Sequence, residues 1–148
     1  MRVRQSTIED IPALKAIADA NRPTLGFLMR SAFAESVVAR WVLVAERDSR
    51  LLGFVRYRHR RNEQTTIYEL CVAQDYRGQG IGRLLIEALA QEAQERGKSH
   101  IQLKAVTGIA ANGFYEHLGF ALIGVETGKK RALNVWRLYH GNHILRGA

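Results

Sequence analysis

Hydrophobic and polar positions along the chain follow two periods, which separate predicted helices from predicted strands. Apolar residues recur at three- and four-residue spacing near 11–20, 80–96 and 109–118, and more weakly at 25–40, which predicts helices. Short runs rich in β-branched and aromatic residues predict strands, at about 1–5, 41–47, 51–58, 65–72, 101–106, 120–126 and 133–139.

Turn and capping signals mark several ends of these elements. Thr7 and Asp10 have the spacing of a helix N-terminal capping pair, and Asn21-Arg22-Pro23 ends the first helix. Asp48-Ser49-Arg50 is short and polar, so it predicts an antiparallel hairpin. The helix over 80–96 ends at Gly97, and its inward face is expected to carry Ile81, Leu84, Leu85, Ala88 and Leu89.

The predicted order of elements is β, α, α, β, β, β, α, β, α, β, β. A hairpin meander that leads into a βαβ unit implies a mixed sheet with helices on its faces. The predicted fold class is therefore α/β, or α+β with a mixed sheet: a central, mostly antiparallel sheet of about six or seven strands flanked by about four helices.

Composition is typical of one globular domain. The chain has 148 residues, of which 47% are hydrophobic, and domains cluster near this length. We expect a single domain over 1–140 and a C-terminal tail over 141–148. One cysteine excludes an internal disulfide and any Cys-rich metal site, so no metal is expected. No apolar leader or membrane-length run is visible, which predicts a cytoplasmic protein.

A net charge of +8 raises the question of an anionic partner. Local clusters occur at Arg56–Arg61 and Lys129–Arg131. In the first cluster, alternation places Arg56, Arg58 and Arg60 on one face of a strand. We favour a solvated strand end and a charged turn over a nucleic-acid surface, so nucleic acid is an unlikely partner. An anionic cofactor or acidic substrate is the third interpretation.

The segment from Val72 to Arg83 contains three alternating glycines between a strand and a helix. Such a loop turns its backbone N–H groups toward one concavity at a helix N-terminus, which favours phosphate. No Gly-Lys-Ser/Thr follows, so it is not a Walker A loop. Arg83 stands where a dinucleotide fingerprint needs its third glycine. The alternative is a purely structural turn.

Two motifs resemble those of the GNAT N-acetyltransferase superfamily. Arg77-x-x-Gly80-x-Gly82 follows the strand Tyr68-Glu69-Leu70-Cys71-Val72, and a later run ends in Tyr115-x-x-x-Gly119-Phe120. The order of elements also agrees from the first strand to about Tyr139. The resemblance implies an acyl-CoA N-acyltransferase-like fold and acetyl-CoA as the acyl-donor cosubstrate.

By this resemblance, backbone groups of the loop hold the acetyl-CoA pyrophosphate. That role falls on Arg77, Gly78, Gln79, Gly80, Ile81, Gly82 and Arg83. The preceding strand contacts the pantetheine arm through Leu70, Cys71 and Val72. For Cys71 itself we prefer the interpretation of a small buried apolar residue. Many members carry a cofactor-contacting Asn where this chain has Gly108, and Asn112 is expected to supply that amide.

The implied reaction is direct attack of an amine on the acetyl carbonyl, with a general base and an acid for the thiolate. Tyr115 matches the family's acid, and Phe114 beside it is expected to pack inward. Glu69 is the candidate base, and its alternative is a carboxylate paired with a neighbouring Arg or Lys. His100 and His117 are weaker candidates for the base.

The predicted function is an acetyl-CoA-dependent N-acetyltransferase acting on a primary amine of a small molecule, protein or peptide. The alternative is a non-catalytic CoA-binding regulatory module. Basic residues near Arg58–Gln64 and Glu126–Arg131 motivate the hypothesis that the acceptor carries a carboxylate or phosphate. A homodimer completed by the C-terminal strand and tail is a further possibility.

Overall fold

The computed structural model describes residues 1–22 and 28–140. Its strands are β1 (Arg2–Gln5), β2 (Val42–Arg47), β3 (Arg50–His59), β4 (Gln64–Val72), β5 (His100–Val106), β6 (Ala121–Thr127) and β7 (Ala132–Tyr139). The α-helices of the described residues are α1 (Ile11–Ala20), α2 (Arg30–Val38), α3 (Ile81–Glu95) and α4 (Ala111–His117). Residues 25–27 of the second predicted helix lie outside the described residues.

The seven strands form one mixed sheet in the order β1-β2-β3-β4-β5-β7-β6. Strands β4 and β5 pair in parallel, because the helix α3 connects them as a crossover. The pairs β1–β2, β2–β3, β5–β7 and β6–β7 are antiparallel. The predicted fold class, a mostly antiparallel mixed sheet with helices, is confirmed. The C-terminal strand β7 lies inside the sheet and β6 forms its edge.

Contacts group the chain into two compact units, residues 1–57 with 69–89 and residues 58–68 with 90 onward. In the first unit, α1 and α2 pack on apolar side chains of the strands. The buried cluster comprises Leu14, Ile17, Ala18, Phe33, Val37, Val42, Val44, Phe54 and Cys71. The rings of Phe33 and Phe54 meet edge to face with centroids 5.5 Å apart. This cluster follows from helical spacing on α1 and from alternation on the strands.

The predicted capping pair and hairpin are both present in the first unit. The Thr7 backbone N–H donates to Asp10 Oδ2 at 2.8 Å, and the capping box starts a 3-10 turn that leads into α1. Asp48 and Ser49 have φ of 51° and 63°. Positive φ at both central positions is what a type I′ hairpin turn requires, so these residues set the β2–β3 connection.

The buried face of α3 differs from the prediction at two positions, since Leu84 is exposed and Ile86 is buried. Leu84 is 36% exposed, whereas Ile81, Leu85, Ile86 and Leu89 are at most 1% exposed. At 3.6 residues per turn the four buried residues span roughly 140° of arc, and Leu84 falls about 60° outside it. The predicted i, i+4 and i+8 positions are therefore buried, and only the i+3 position, Leu84, falls outside the buried stripe.

In the second unit, alternating residues of β5 and β7 build the core. Ile101, Leu103, Trp136 and Leu138 are at most 4% exposed. All seven residues of β6 are exposed, as expected of an edge strand, and its register with β7 shifts between Leu122 and Gly124. Such a bulge interrupts the regular edge.

A buried polar group ties the β3–β4 hairpin to α3 within the second unit. His59 Nδ1 lies 2.7 Å from Thr65 Oγ1, and His59 Nε2 lies 2.7 Å from Glu92 Oε2. Thr65 is fully buried and His59 is 8% exposed. Each polar atom of this imidazole thus has a partner, which is what its burial requires.

Candidate active site

The glycine-rich loop joins β4 to α3 in the first unit. After Val72 the chain makes a 3-10 turn over Gln74–Tyr76 and then extends at Arg77. Gly78 and Gly80 have φ of +78° and +80°, a region that residues with a Cβ rarely adopt. A Cβ built on either glycine would meet nothing within 4 Å. These glycines therefore serve the backbone turn and leave space beside it.

The loop has two features that suit a bound phosphate. The helix α3 starts at Ile81 with no acidic residue in its first turn, so its partial positive charge remains available to an anion. Arg83 Nη1 is buried and has no hydrogen-bond partner among the described residues. A buried donor without a partner costs ~1–3 kcal/mol, and a phosphate oxygen would satisfy it. The residues fit the pyrophosphate that the sequence predicts.

Arg77 is held in place by the end of α1. Its Nη2 donates to Asn21 Oδ1, and its Nε makes a long contact of 3.4 Å with the Val72 carbonyl. The sequence marks Asn21 only as a helix-ending residue and does not reveal this contact. No sequence signal joins two residues that lie 56 positions apart.

The strand before the loop places Cys71 in the core. Cys71 is 5% exposed, and burial raises the pKa of its thiol to about 11. A nucleophilic cysteine needs a lowered pKa, so the interpretation of Cys71 as a buried apolar residue agrees with its surroundings. Leu70 and Val72 beside it are half-buried. A Cβ at Gly53 would lie 2.7 Å from the Cys71 carbonyl oxygen, so β3 approaches this backbone closely.

Glu69 forms a two-point ion pair with Arg56. Arg56 Nε donates to Glu69 Oε1 at 2.5 Å and Arg56 Nη2 donates to Oε2 at 3.0 Å. Arg56 Nη1 also donates to Ser36 Oγ of α2 at 3.3 Å. The Glu69 side chain is 11% exposed. The structure thus shows Glu69 paired with a neighbouring Arg, which was the alternative to a base, and the role of base stays a prediction.

Tyr115 lies on α4 in the second unit and is half-buried. Its ring packs edge to face against Phe114 and Phe120, with centroids 5.6 Å and 5.8 Å away. The expectation that Phe114 packs inward is wrong, because Phe114 is 37% exposed. Leu118, the residue that directly follows α4, is the buried apolar residue instead, at 1% exposed.

The Asn112 amide is bonded at both ends within the second unit. Its Nδ2 donates to the carbonyls of Val106 at 2.9 Å and Ile109 at 3.1 Å. Its Oδ1 accepts from Asn134 Nδ2 at 3.0 Å and Trp136 Nε1 at 2.8 Å. These bonds fasten the start of α4 to β5 and β7. A cofactor contact by Asn112 stays a prediction.

The two rival histidines differ in their surroundings. His100 lies 2.8 Å from Ser99 Oγ and 3.1 Å from Gln64 Oε1, and burial lowers the pKa of its imidazole. His117 is exposed at the end of α4. Within residues 1–22 and 28–140, neither histidine has a contact that distinguishes it as a base.

The arginines of the basic cluster Arg56–Arg61 make different contacts. Arg56 faces Glu69, whereas Arg60 Nη1 donates to the exposed Tyr68 hydroxyl at 3.0 Å. Arg58 and Arg61 are exposed. The residues Lys129 and Lys130 are also exposed, in the turn between β6 and β7.

The predicted site residues fall into both compact units. The first unit brings together Glu69, the strand end 70–72 and the loop 77–83, whereas Asn112 and Tyr115 belong to the second. In the described parts of the chain, no group of three or more His, Cys, Asp or Glu is placed to hold a metal ion. Over residues 1–22 and 28–140, no helix is both long and apolar enough to cross a membrane.

Comparison with known proteins gives consistent matches. A family model described as an acetyltransferase (GNAT) domain matches residues 39–122, more than half of the chain. Streptothricin acetyltransferase of Streptomyces lavendulae is 34% identical over 114 residues, which cover 75% of this chain and 58% of that protein. The chain therefore spans less than two thirds of that relative.

Solved structures resemble the whole fold. A ribosomal-protein-alanine N-acetyltransferase from Brucella melitensis is 27% identical with a TM-score of 0.79, and the match covers 94% of this chain and 99% of that one. The PaiA N-acetyltransferase from Thermoplasma acidophilum, in complex with coenzyme A, is 17% identical with a TM-score of 0.80, covering 94% and 98%. At 17% identity, the match to the PaiA structure shows a similarity of fold alone.

Proposed function

Because the chain belongs to the acetyltransferase (GNAT) domain family, we propose that it transfers the acetyl group of acetyl-CoA to a primary amine. The predicted family and fold class are confirmed by the family match and by the solved structures. The acceptor class we propose is a small molecule or a protein or peptide amine, attacked directly without an acyl-enzyme. The buried Cys71 with its raised pKa supports a reaction without a thiol nucleophile.

The observation that carries the proposal is the open loop before α3. Acetyl-CoA, when bound, supplies the reactive thioester. We assign its pyrophosphate to the backbone of residues 77–83 and to the unpartnered Arg83 Nη1. The pantetheine arm is assigned to the strand end Leu70-Cys71-Val72. The positive φ of Gly78 and Gly80 lets consecutive N–H groups face one anion.

We assign proton removal from the acceptor amine to Glu69, directly or through a water molecule. Amines are mostly protonated at neutral pH, so a base must act before attack. Arg56 donates to both carboxylate oxygens of Glu69 and thereby fixes the orientation of the carboxylate. Each oxygen retains a lone pair for a proton, because a carboxylate has about four acceptor sites.

We assign the acid that protonates the leaving thiolate to Tyr115. The phenol hydroxyl is a donor whose ring is positioned by Phe114 and Phe120. Asn112 supports the same helix through its four hydrogen bonds. We retain the predicted cofactor contact of Asn112 as part of the proposal.

The test is an assay of thiol release with acetyl-CoA and a panel of amines. The panel includes streptothricin, a peptide that begins with alanine, and amines with and without a carboxylate or phosphate. Glu69→Gln and Tyr115→Phe are expected to lower kcat about 10²-fold or more, and Tyr139→Phe serves as the matched control. Tight CoA binding with no thiol release for any amine, unchanged by Tyr115→Phe, would favour the regulatory module.

The acceptor hypothesis has its own outcome in this panel. The exposed Arg58, Arg61, Lys129 and Lys130 favour an acceptor with an anionic group. Acidic acceptors are expected to have a lower KM that rises with salt. Better turnover of polycationic amines would contradict this expectation.

We also propose one catalytic domain over residues 1–140 with a tail over 141–148, a cytoplasmic location, and no nucleic-acid partner. The single free cysteine is compatible with a reducing compartment. A homodimer also stays a proposal. Because the C-terminal strand β7 lies between β5 and β6, we propose the edge strand β6 in its place, where Leu122 and Val125 are 51% and 60% exposed. Analytical ultracentrifugation tests the dimer, and an oligonucleotide mobility shift at low salt tests nucleic-acid binding.

A further inference from the structure

Both ends of the Asn21 amide are engaged where α1 ends. Its Nδ2 donates to the Ile17 carbonyl at 2.8 Å, and its backbone N–H donates to the Ala18 carbonyl at 3.0 Å. Its Oδ1 accepts from Arg77 Nη2. Asn21 is 7% exposed. The bond to Ile17 fixes which end of the amide faces Arg77, because the reversed amide would place an NH₂ group against the guanidinium.

This arrangement determines where the Arg77 guanidinium lies. The last carbonyls of α1 carry partial negative charge, which favours a cation at that point. The bonds to Asn21 and Val72 use Nη2 and Nε, and no hydrogen bond from the described residues engages Nη1. A long, flexible side chain is thus held with one guanidinium nitrogen available beside the loop. Fixing it in the free protein lowers the entropy cost of later anion binding.

We infer that Asn21 is a positioning residue of the cofactor loop. It acts through Arg77, which it holds ready for the phosphate groups of acetyl-CoA. The inference rests on the proposed function, since it takes the loop as the phosphate site. It gives the end of α1 a part in cofactor affinity that is exerted through Arg77.

The test is a double-mutant cycle on CoA affinity, measured by isothermal titration calorimetry. Asn21→Ala and Arg77→Ala are each expected to raise the Kd of CoA about tenfold, since a hydrogen bond to a charged group is lost. The double variant is expected to bind no more weakly than Arg77→Ala, because both changes remove one interaction. Pantetheine, which lacks the phosphates, is expected to shift the melting temperature of all four proteins equally.

Ala18→Gly is the matched control for a loosened α1. Ala18 is 1% exposed in the same helical turn, and glycine weakens a helix without removing the Asn21 side chain. This variant is expected to keep the CoA affinity of the unmodified protein. Additive effects in the cycle, or an equal loss in Ala18→Gly, overturn the inference and leave the proposed function intact. Absence of CoA binding by the unmodified protein overturns both.

Discussion

Gly53 offers a sharp test of how closely β3 approaches the strand that leads to the loop. Substitution by alanine places a Cβ 2.7 Å from the Cys71 carbonyl oxygen, 3.3 Å from Val72 Cα and 3.4 Å from Ile81 Cγ2. Two of these neighbours are backbone atoms, so no side-chain rotation relieves the overlap. The backbone must move by roughly 0.7 Å to restore an ordinary contact near 3.4 Å.

The expected cost of Gly53→Ala follows from this overlap. Adding a methyl group to a packed interior destabilises by about 1–3 kcal/mol. In urea, with a slope of about 2 kcal/mol/M for a protein of this size, the midpoint should fall by about 1 M. CoA affinity should fall as well, because the displaced atoms include the strand end and the first residue of α3.

Gly113→Ala adds the same methyl group and should have the opposite effect. Gly113 lies inside α4, and a Cβ there meets nothing within 4 Å. Alanine in an exposed helix interior gains about 0.5–1 kcal/mol over glycine. Urea unfolding followed by circular dichroism gives both midpoints. A midpoint for Gly53→Ala equal to or above that of the unmodified protein would refute the close approach.

Three further predictions concern buried or paired groups. With its thiol pKa at about 11, Cys71 should react with Ellman's reagent at pH 8 far more slowly in the native protein than in guanidinium. Asn112→Ala should destabilise by about 1–3 kcal/mol in urea because the buried Trp136 N–H loses its acceptor, and Asn112→Asp should not restore stability, because its second oxygen would face the Val106 and Ile109 carbonyls that Nδ2 bonds. Hydrogen bonds from Arg4 lower the pKa of Asp10, so their contribution is present above the unfolded pKa of about 3.9 and is lost as pH falls through the folded value. Asp10→Asn should therefore destabilise by about 1 kcal/mol at pH 6 and have no effect once the carboxyl is protonated; the same loss at pH 2 and pH 6 would count against the pairing.

The ion pair between Arg56 and Glu69 shows that the charge next to a predicted catalytic residue depends on contacts between strands. Alternation along the strands places each residue on a face, yet it does not specify which charges meet across strands. Here Arg56 meets the carboxylate at two points and Ser36 of α2 at a third. A basic cluster that suggested a substrate surface thus contributes one of its members to the proposed base.

Local patterns were enough to predict the elements and the loop. The order of strands and helices, the capping pair Thr7–Asp10, the hairpin turn at Asp48–Ser49 and the glycines before α3 all depend on residues close together in sequence. Backbone preferences and hydrophobic periodicity act over a few positions, so they can be recognised in the sequence without knowledge of the fold. The family motifs in the loop and in α4 belong to the same local class.

Contacts between distant residues were decided only by the folded chain. The bonds from Arg77 to Asn21 and from Asn112 to Trp136 join residues 56 and 24 positions apart. The exposure of Leu84 and Phe114 likewise depends on which neighbours cover each helix. Periodicity states that a face is apolar, but the register of packing decides which residues are covered. Sequence therefore predicted the class of site, and tertiary structure determined which side chains contact its loop and its carboxylate.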